Sequence, residues 1–187
     1  AGVIVSLGHT DAPFDTCMDY ARAGARCVTH LFNAMSQLGS RAPGLVGAAL
    51  SCGQLSAGLI ADTVHVHPET MRLAWSAKRD PGQIFLVSDA MAVAGTAQTE
   101  FQLEGRMIRR EQGRLTLQDG TLAGADLDLT TAVRVLSEQV GVPLPQALAA
   151  ATSVPAALIG RGQPLSRQSD LIRIRPDLSG VGPVLTL

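Results

Sequence analysis

The sequence predicts an α/β fold, about four βα units of a (β/α)8 TIM-type barrel, on three observations. Four short runs in the first half of the chain, VIVSLG (3–8), ARCVTH (25–30), LSAGLIAD (55–62) and QIFLVSD (83–89), are apolar throughout rather than alternating, as suits parallel strands buried on both faces. Each run gives way to His or Asp and then to a helical or loop segment. No G-x-G-x-x-G or phosphate-loop motif follows any of them, which argues against an open doubly wound sheet. A whole barrel takes about 250 residues, so four units are half of one.

The elements follow in order. After His9, Thr10 or Asp11 caps a helix, Pro13 suits its first turn, and Phe14, Cys17, Met18 and Ala21 recur at helical spacing until Gly24 stops it. Residues 36–54 are rich in Gly and Ser and carry Pro43, so they read as a functional loop with little helix. Pro68 opens a helix in which Met71, Ala74 and Trp75 share a face. Beyond residue 95 the pattern alternates: FQLEGRMI and GRLTL flank a polar turn around Glu111 to Gly113, a β-hairpin excursion. A turn at DGTLAG leads to a helix from about Asp126 to Val140 with Leu129, Ala132, Val133, Leu136 and Val140 as its apolar stripe. Short helices follow at about 144–151 and 155–160, and SDLIRIRPDLSGVGPVLTL reads as two strands around a turn in a small β-layer.

Composition narrows the partners. The 187 residues are 46% hydrophobic, enough to bury one good core, and the formal net charge of −1 comes with scattered basic residues. That is no footprint for nucleic acid or an anionic membrane. No apolar stretch approaches the ~18 residues that span a bilayer. Cys17, Cys27 and Cys52 are odd in number, lie in apolar contexts and lack C-x-x-C spacing, so they read as reduced thiols of a cytoplasmic protein. The chain opens as AGVIVSLGH, already the body of a strand, which suggests part of a longer polypeptide.

In a barrel the strand C-termini converge on one mouth, so His9, His30, Asp62 and Asp89 come there from four strands. Two imidazoles with carboxylates are a ligand set for a divalent transition metal, zinc or iron(II), and point to metal-assisted hydrolysis. Plainer readings stand beside this. A single histidine after a strand is commonly a core or capping residue, and Asp62 suits a turn cap. Asp89 is harder to dismiss, because an unpaired buried carboxylate is costly. His65 and His67 point the same way if DTVHVHP is extended and separate in a tighter turn. Arg41, in SRAPG, serves equally as a solvated residue or an anion binder. Gly120 and Gly124, flanking TLA, signal only a turn.

GHTDAPFD, THLFNAMSQLGSRAPGLVGAAL, GLIADTVHVHP, LVSDAMAVAG and DGTLAGADL, in this order and at these intervals, closely resemble the C-terminal half of the N-acetylglucosamine-6-phosphate deacetylases, which are amidohydrolase-superfamily barrels. The resemblance runs from residue 1 to about 160. It implies that His9 and His30 are metal ligands, for zinc first or iron. It makes Asp89 the general base that takes a proton from the attacking water and returns it to the departing amine. His65 resembles the histidine that contacts the substrate and helps polarise the acetamide carbonyl. Asn33 and Ala34 match contacts to the sugar phosphate, and Arg41 matches a phosphate-binding arginine reaching in from the partner subunit of a homodimer. Leu122, Ala123 and Gly124 match the loop that lines the acetyl pocket.

Those roles are chemically coherent, since amide hydrolysis needs a nucleophile, an oxyanion stabiliser and a proton for the amine. A sugar phosphate also needs a cation, and with Lys78 the only lysine, Arg41 is the best placed. The expected organisation is a barrel half over 1–160, with a hairpin insertion at about 100–119, and return strands of a small β-sandwich over 161–187. The family takes a glutamate ligand, the first barrel half and the front of the sandwich from upstream of residue 1, and GRGQPLSRQSDLI departs from its usual tail. A half-barrel alone exposes two sheet edges, so the expectation is a piece of a longer polypeptide or a chain completed by a second copy. The expected activity is hydrolysis of N-acetylglucosamine 6-phosphate to glucosamine 6-phosphate and acetate. Two alternatives stand: another amidohydrolase with a different amide substrate, and an inactive fragment that binds a sugar phosphate or mediates oligomerisation.

Overall fold

Four short parallel strands pair in chain order: β1 (Ser6–Leu7), β2 (Cys27–Val28), β3 (Ser56–Leu59) and β4 (Ile84–Leu86). All four come from the predicted apolar runs, in a computed structural model that describes residues 2–161 and 172–183. Residues 162–171 and 184–187, which fall in the predicted small β-domain, lie outside the described residues. Registers such as Ser6 with Cys27, Cys27 with Ser56 and Ala57 with Ile84 align the four C-terminal ends. Backbone bonds carry the ladder past the strands, from the Leu31 N–H to the Gly58 carbonyl and from the Val87 N–H to the Leu59 carbonyl.

Helices cover the sheet. Helix α1 (Phe14–Ala23) buries Cys17 and Ala21 and ends at Gly24. Its N-cap is Pro13 rather than the expected Thr10 or Asp11, because the Thr10 hydroxyl accepts instead from the Ala12 N–H, one turn too early for the helix. Helix α2 (Gly44–Ser51) occupies much of the segment expected to be loop. The stretch GLVGAAL is apolar on every side and wholly buried, so it shows no polar face for a periodicity argument to detect. Helix α3 (Pro68–Ala77) starts at Pro68 as predicted, and the His67 ring accepts from the Glu69 N–H as its N-cap.

The region after β4 holds a second, antiparallel sheet: β5 (Glu100–Leu103), β6 (Arg106–Glu111), β7 (Arg114–Thr116) and β8 (Leu122–Ala125). The expected single hairpin is a meander, because FQLEGRMI is itself two strands. Glu104-Gly105 and Gln112-Gly113 each hold positive φ at both residues, the two-residue turn geometry that matches strand twist. Val93, Ile108 and Leu115 form a small core beneath the meander. Arg110 fastens it: its guanidinium pairs with Asp126 at 2.8 Å and donates to the Thr96 carbonyl at 2.7 Å.

The predicted helix over 126–140 begins at α4 (Leu129–Arg134), where the Asp128 carboxylate caps by accepting from the Thr131 N–H. It then widens into a π-helical turn, Val135–Gln139, closed by the Val140 N–H on the Val135 carbonyl. The shorter helices are α5 (Leu144–Ala151) and α6 (Ser153–Leu158). Strands β9 (Ile172–Ile174) and β10 (Val181–Pro183) form an antiparallel pair, and Leu178 in the turn between them joins the main core. That core centres on Leu31, Leu45, Leu55, Leu59, Ile60, Met71 and Leu136, all under 2% exposed and each worth about 1.5–3 kcal/mol on burial.

Candidate active site

Backbone strain marks one end of the parallel sheet. Of nine non-glycine residues with positive φ among those described, six lie just beyond the C-termini of β1 to β4: His9, His30, Phe32, Ala34, Thr63 and Asp89. Each such conformation costs of order 1–3 kcal/mol and persists only where surrounding contacts hold it. The contacts are present. The Thr10 N–H donates to the Ala34 carbonyl, the Ser36 N–H to the Thr10 carbonyl, and the Ser36 hydroxyl to the Ala12 carbonyl at 2.7 Å. The segments after β1 and β2 are thus tied into one frame. The side-chain amide of Asn33 donates to the carbonyls of His30 and Leu31, holding that turn in shape.

A cavity of about 600 Å³ opens above this frame, lined by His9, His30, Asn33, Ala34, His65, Asp89, Leu122, Ala123 and Gly124. Nine of the ten residues to which the resemblance assigns roles therefore share one space. Arg41 is the tenth; it is exposed in the loop before α2 and does not line the cavity. His67 is turned away to cap α3. Asp89 is exposed to the cavity rather than buried, so the cost of a buried carboxylate is not what distinguishes it.

The imidazoles of His9 and His30 meet Nε2 to Nε2 at 2.9 Å, His9 exposed and His30 only 6% exposed. Two nitrogens bound at 2.0–2.1 Å to one tetrahedral zinc stand roughly 3.3 Å apart, so the pair fits as two members of a metal's ligand set. Nδ1 of His30 is buried without a partner among the described residues. No group of three or more His, Cys, Asp or Glu suited to a metal gathers among the described residues.

His65 is held from behind. Its Nδ1 lies 2.6 Å from Oδ2 of Asp62, and both side chains are 7% exposed. Oδ1 of Asp62 accepts the N–H groups of Val64 and His65. Burial pushes the Asp62 carboxyl upward, but the bonds from the His65 ring and the two backbone N–H groups outweigh it, and the pKa lies below the usual carboxylate value. Asp62 is thus a turn cap, as one sequence reading had it, and also the partner of a cavity histidine.

Sequence reasoning missed part of the lining. Leu103, Glu104, Arg106, Ile108 and Leu117 of the meander also line the cavity. The sequence reading held the turn around Glu111 to Gly113 but not the one at Glu104-Gly105. The Ala125 N–H donates to the Asp89 carbonyl, so β8 joins the meander to the end of β4.

No family model matches the sequence. The chain is 43% identical to N-acetylgalactosamine-6-phosphate deacetylase of Shewanella sp. (strain ANA-3), over 87% of this chain and 41% of that protein. It is 38% identical to N-acetylglucosamine-6-phosphate deacetylase of Bacillus subtilis (strain 168), over 73% of this chain and 34% of that one. The crystal structure of N-acetylglucosamine-6-phosphate deacetylase from Pasteurella multocida superposes with a TM-score of 0.88 at 32% identity, covering 95% of this chain and 48% of that one. The chain spans between a third and two fifths of the length of the curated relatives it matches. It belongs to the N-acetylglucosamine/N-acetylgalactosamine-6-phosphate deacetylase family and corresponds to a C-terminal region of its members.

Proposed function

We propose that the intact protein hydrolyses the acetamide of N-acetylglucosamine 6-phosphate, releasing glucosamine 6-phosphate and acetate. The observation that carries this reading is the single cavity that gathers two facing imidazoles, a further histidine, an exposed carboxylate and the LAG segment of β8. In this reading β1 to β4 are consecutive strands of a (β/α)8 barrel, with the site at their C-terminal ends. His9 and His30 hold a divalent metal, zinc or iron(II), which supplies Lewis acidity toward the amide carbonyl and a nucleophile at neutral pH. Asp89 accepts the proton of the attacking water and passes it to the amine. His65 contacts the acetamide, Leu122 to Gly124 border the acetyl group, and Asn33 and Ala34 face the sugar phosphate.

Arg41 neutralises the phosphate across the interface of a homodimer, consistent with its exposure outside its own chain's cavity. Cys17, Cys27 and Cys52 are all free and buried, which fits a reducing cytoplasm. Among the described residues no helix is long and apolar enough to cross a membrane.

A second reading, the galactosamine epimer as substrate, is favoured by the 43% identity to the Shewanella protein. Acetate release from zinc-loaded and iron-loaded protein distinguishes them, with N-acetylglucosamine 6-phosphate, N-acetylgalactosamine 6-phosphate and unphosphorylated N-acetylglucosamine as substrates. Turnover of one phosphorylated epimer well above the unphosphorylated sugar is expected. Equal turnover with and without phosphate points to a different amide substrate, and none on any substrate points to an inactive binding protein.

A further inference from the structure

Asp62 has no part in the chemistry proposed above, yet its carboxylate makes three hydrogen bonds within four residues of chain. It accepts from the N–H of Val64 at 2.9 Å, from the N–H of His65 at 2.8 Å, and from Nδ1 of His65 at 2.6 Å. Thr63, between them, is held at φ +66°, which curls the segment so that a carboxylate and an imidazole three residues apart meet. An ionised carboxylate can only accept, so the ring nitrogen facing it must carry a proton. A His65 ring bonded through Nδ1 leaves Nε2 for the cavity that the residue lines.

We infer that Asp62 is a positioning residue that fixes His65 in its Nδ1–H form and leaves Nε2 for the substrate, so that neutral His65 accepts a hydrogen bond and only its imidazolium donates one. The chemical consequence rests on the proposed deacetylase reading. An amide carbonyl is an acceptor, so His65 polarises it only as an imidazolium paired with the Asp62 carboxylate. A neutral His65 takes a sugar hydroxyl instead. A histidine backed by a water carries no such restriction, since water donates or accepts.

The test is a long-range ¹H–¹⁵N correlation spectrum of the intact protein labelled in histidine, with His65 assigned by loss of its signals in His65→Gln. At a pH above the ionisation of the ring, His65 is expected to show a protonated Nδ1 and a bare Nε2. In Asp62→Asn, whose amide oxygen can still cap the Val64 and His65 N–H groups, the pattern is expected to shift toward the Nε2–H form. kcat is then expected to fall at least about tenfold with KM little changed, because the imidazolium that polarises the carbonyl loses the carboxylate paired with it. A wild-type His65 in the Nε2–H form overturns the inference without any variant, and so does an unchanged spectrum in Asp62→Asn. If the spectrum responds but no sugar phosphate is turned over, the deacetylase reading fails and the positioning role stands.

Discussion

The backbone N–H of Ala125 donates to the carbonyl of Asp89 across 2.9 Å, so the last strand of the meander holds the residue at the end of β4. Gly124, one residue earlier, makes that approach possible. It sits at φ +87°, and a Cβ there would lie 2.7 Å from Cγ and 2.8 Å from Sδ of Met91, and 3.0 Å from the Asp89 carbonyl oxygen. The Met91 side chain can swing aside, whereas the carbonyl cannot move without moving Asp89. Gly124→Ala is therefore expected to destabilise by of order 1–3 kcal/mol, from the left-handed backbone it must adopt. Displacing Asp89 is also expected to cost up to about 10²-fold in turnover. Thermal unfolding and steady-state kinetics check both; an unchanged Tm with unchanged kcat would show that the β8 contact does not constrain the site.

Asp89 itself gives the second prediction. It is exposed to the cavity and held at φ +48°, so its conformation is set by the backbone around it rather than by packing of its carboxylate. Asp89→Asn keeps the shape and removes the proposed proton acceptor. Metal content and substrate KM are expected to stay near the wild-type values while kcat drops about 10²-fold or more. Turnover like that of the wild type would remove Asp89 from proton transfer.

The parallel strands were legible because burial on both faces leaves an apolar run with little else in it, and the polar residue ending each run pointed to the strand C-termini. His9, His30 and Asp89 were found that way from local pattern. Helix α2 was not, because a helix enclosed on all sides loses the polar stripe by which helices are recognised. The pairing of Asp62 with His65 depends on a positive φ at Thr63, which no propensity foretells. Glu104 and Arg106 reach the cavity only because two hairpin turns fold the meander over it, so their place is a matter of tertiary topology. The roles proposed for Asn33, Ala34 and Leu122 rest on resemblance alone, since nothing in their side chains announces a ligand.

The facing imidazoles lead to a third prediction. His9 and His30 approach Nε2 to Nε2 at 2.9 Å, an arrangement that a shared proton or a shared metal stabilises and two bare lone pairs do not. Zinc titration of the intact protein is expected to raise its Tm. A free metal concentration 100 times the dissociation constant corresponds to about 2.7 kcal/mol of added stability. His9→Ala and His30→Ala should each reduce bound metal, measured by elemental analysis after gel filtration, by about tenfold or more. Full metal content in both variants would place the metal, if any, elsewhere.

Asp62 supplies a prediction about stability against pH. Burial pushes its folded pKa upward, but the bonds from His65 and the two backbone N–H groups outweigh that cost and hold it below the ordinary carboxylate value of 3.8. A depressed carboxylate contributes stability that is fully present above the unfolded pKa and is lost as pH falls through the folded one. The contribution is therefore intact at pH 5 to 7, begins to be lost as pH falls below about 3.8, and is gone once pH has fallen through the lower folded pKa. Charge-assisted bonds of this kind contribute about 1.5–3 kcal/mol. With urea unfolding of wild type and Asp62→Asn measured from pH 7 down to pH 3, the gap between the two is expected to hold level and then narrow below pH 3.8. A gap that stays constant over the whole range would mean that the Asp62 charge does not stabilise the fold, and that the variant acts only through changed shape.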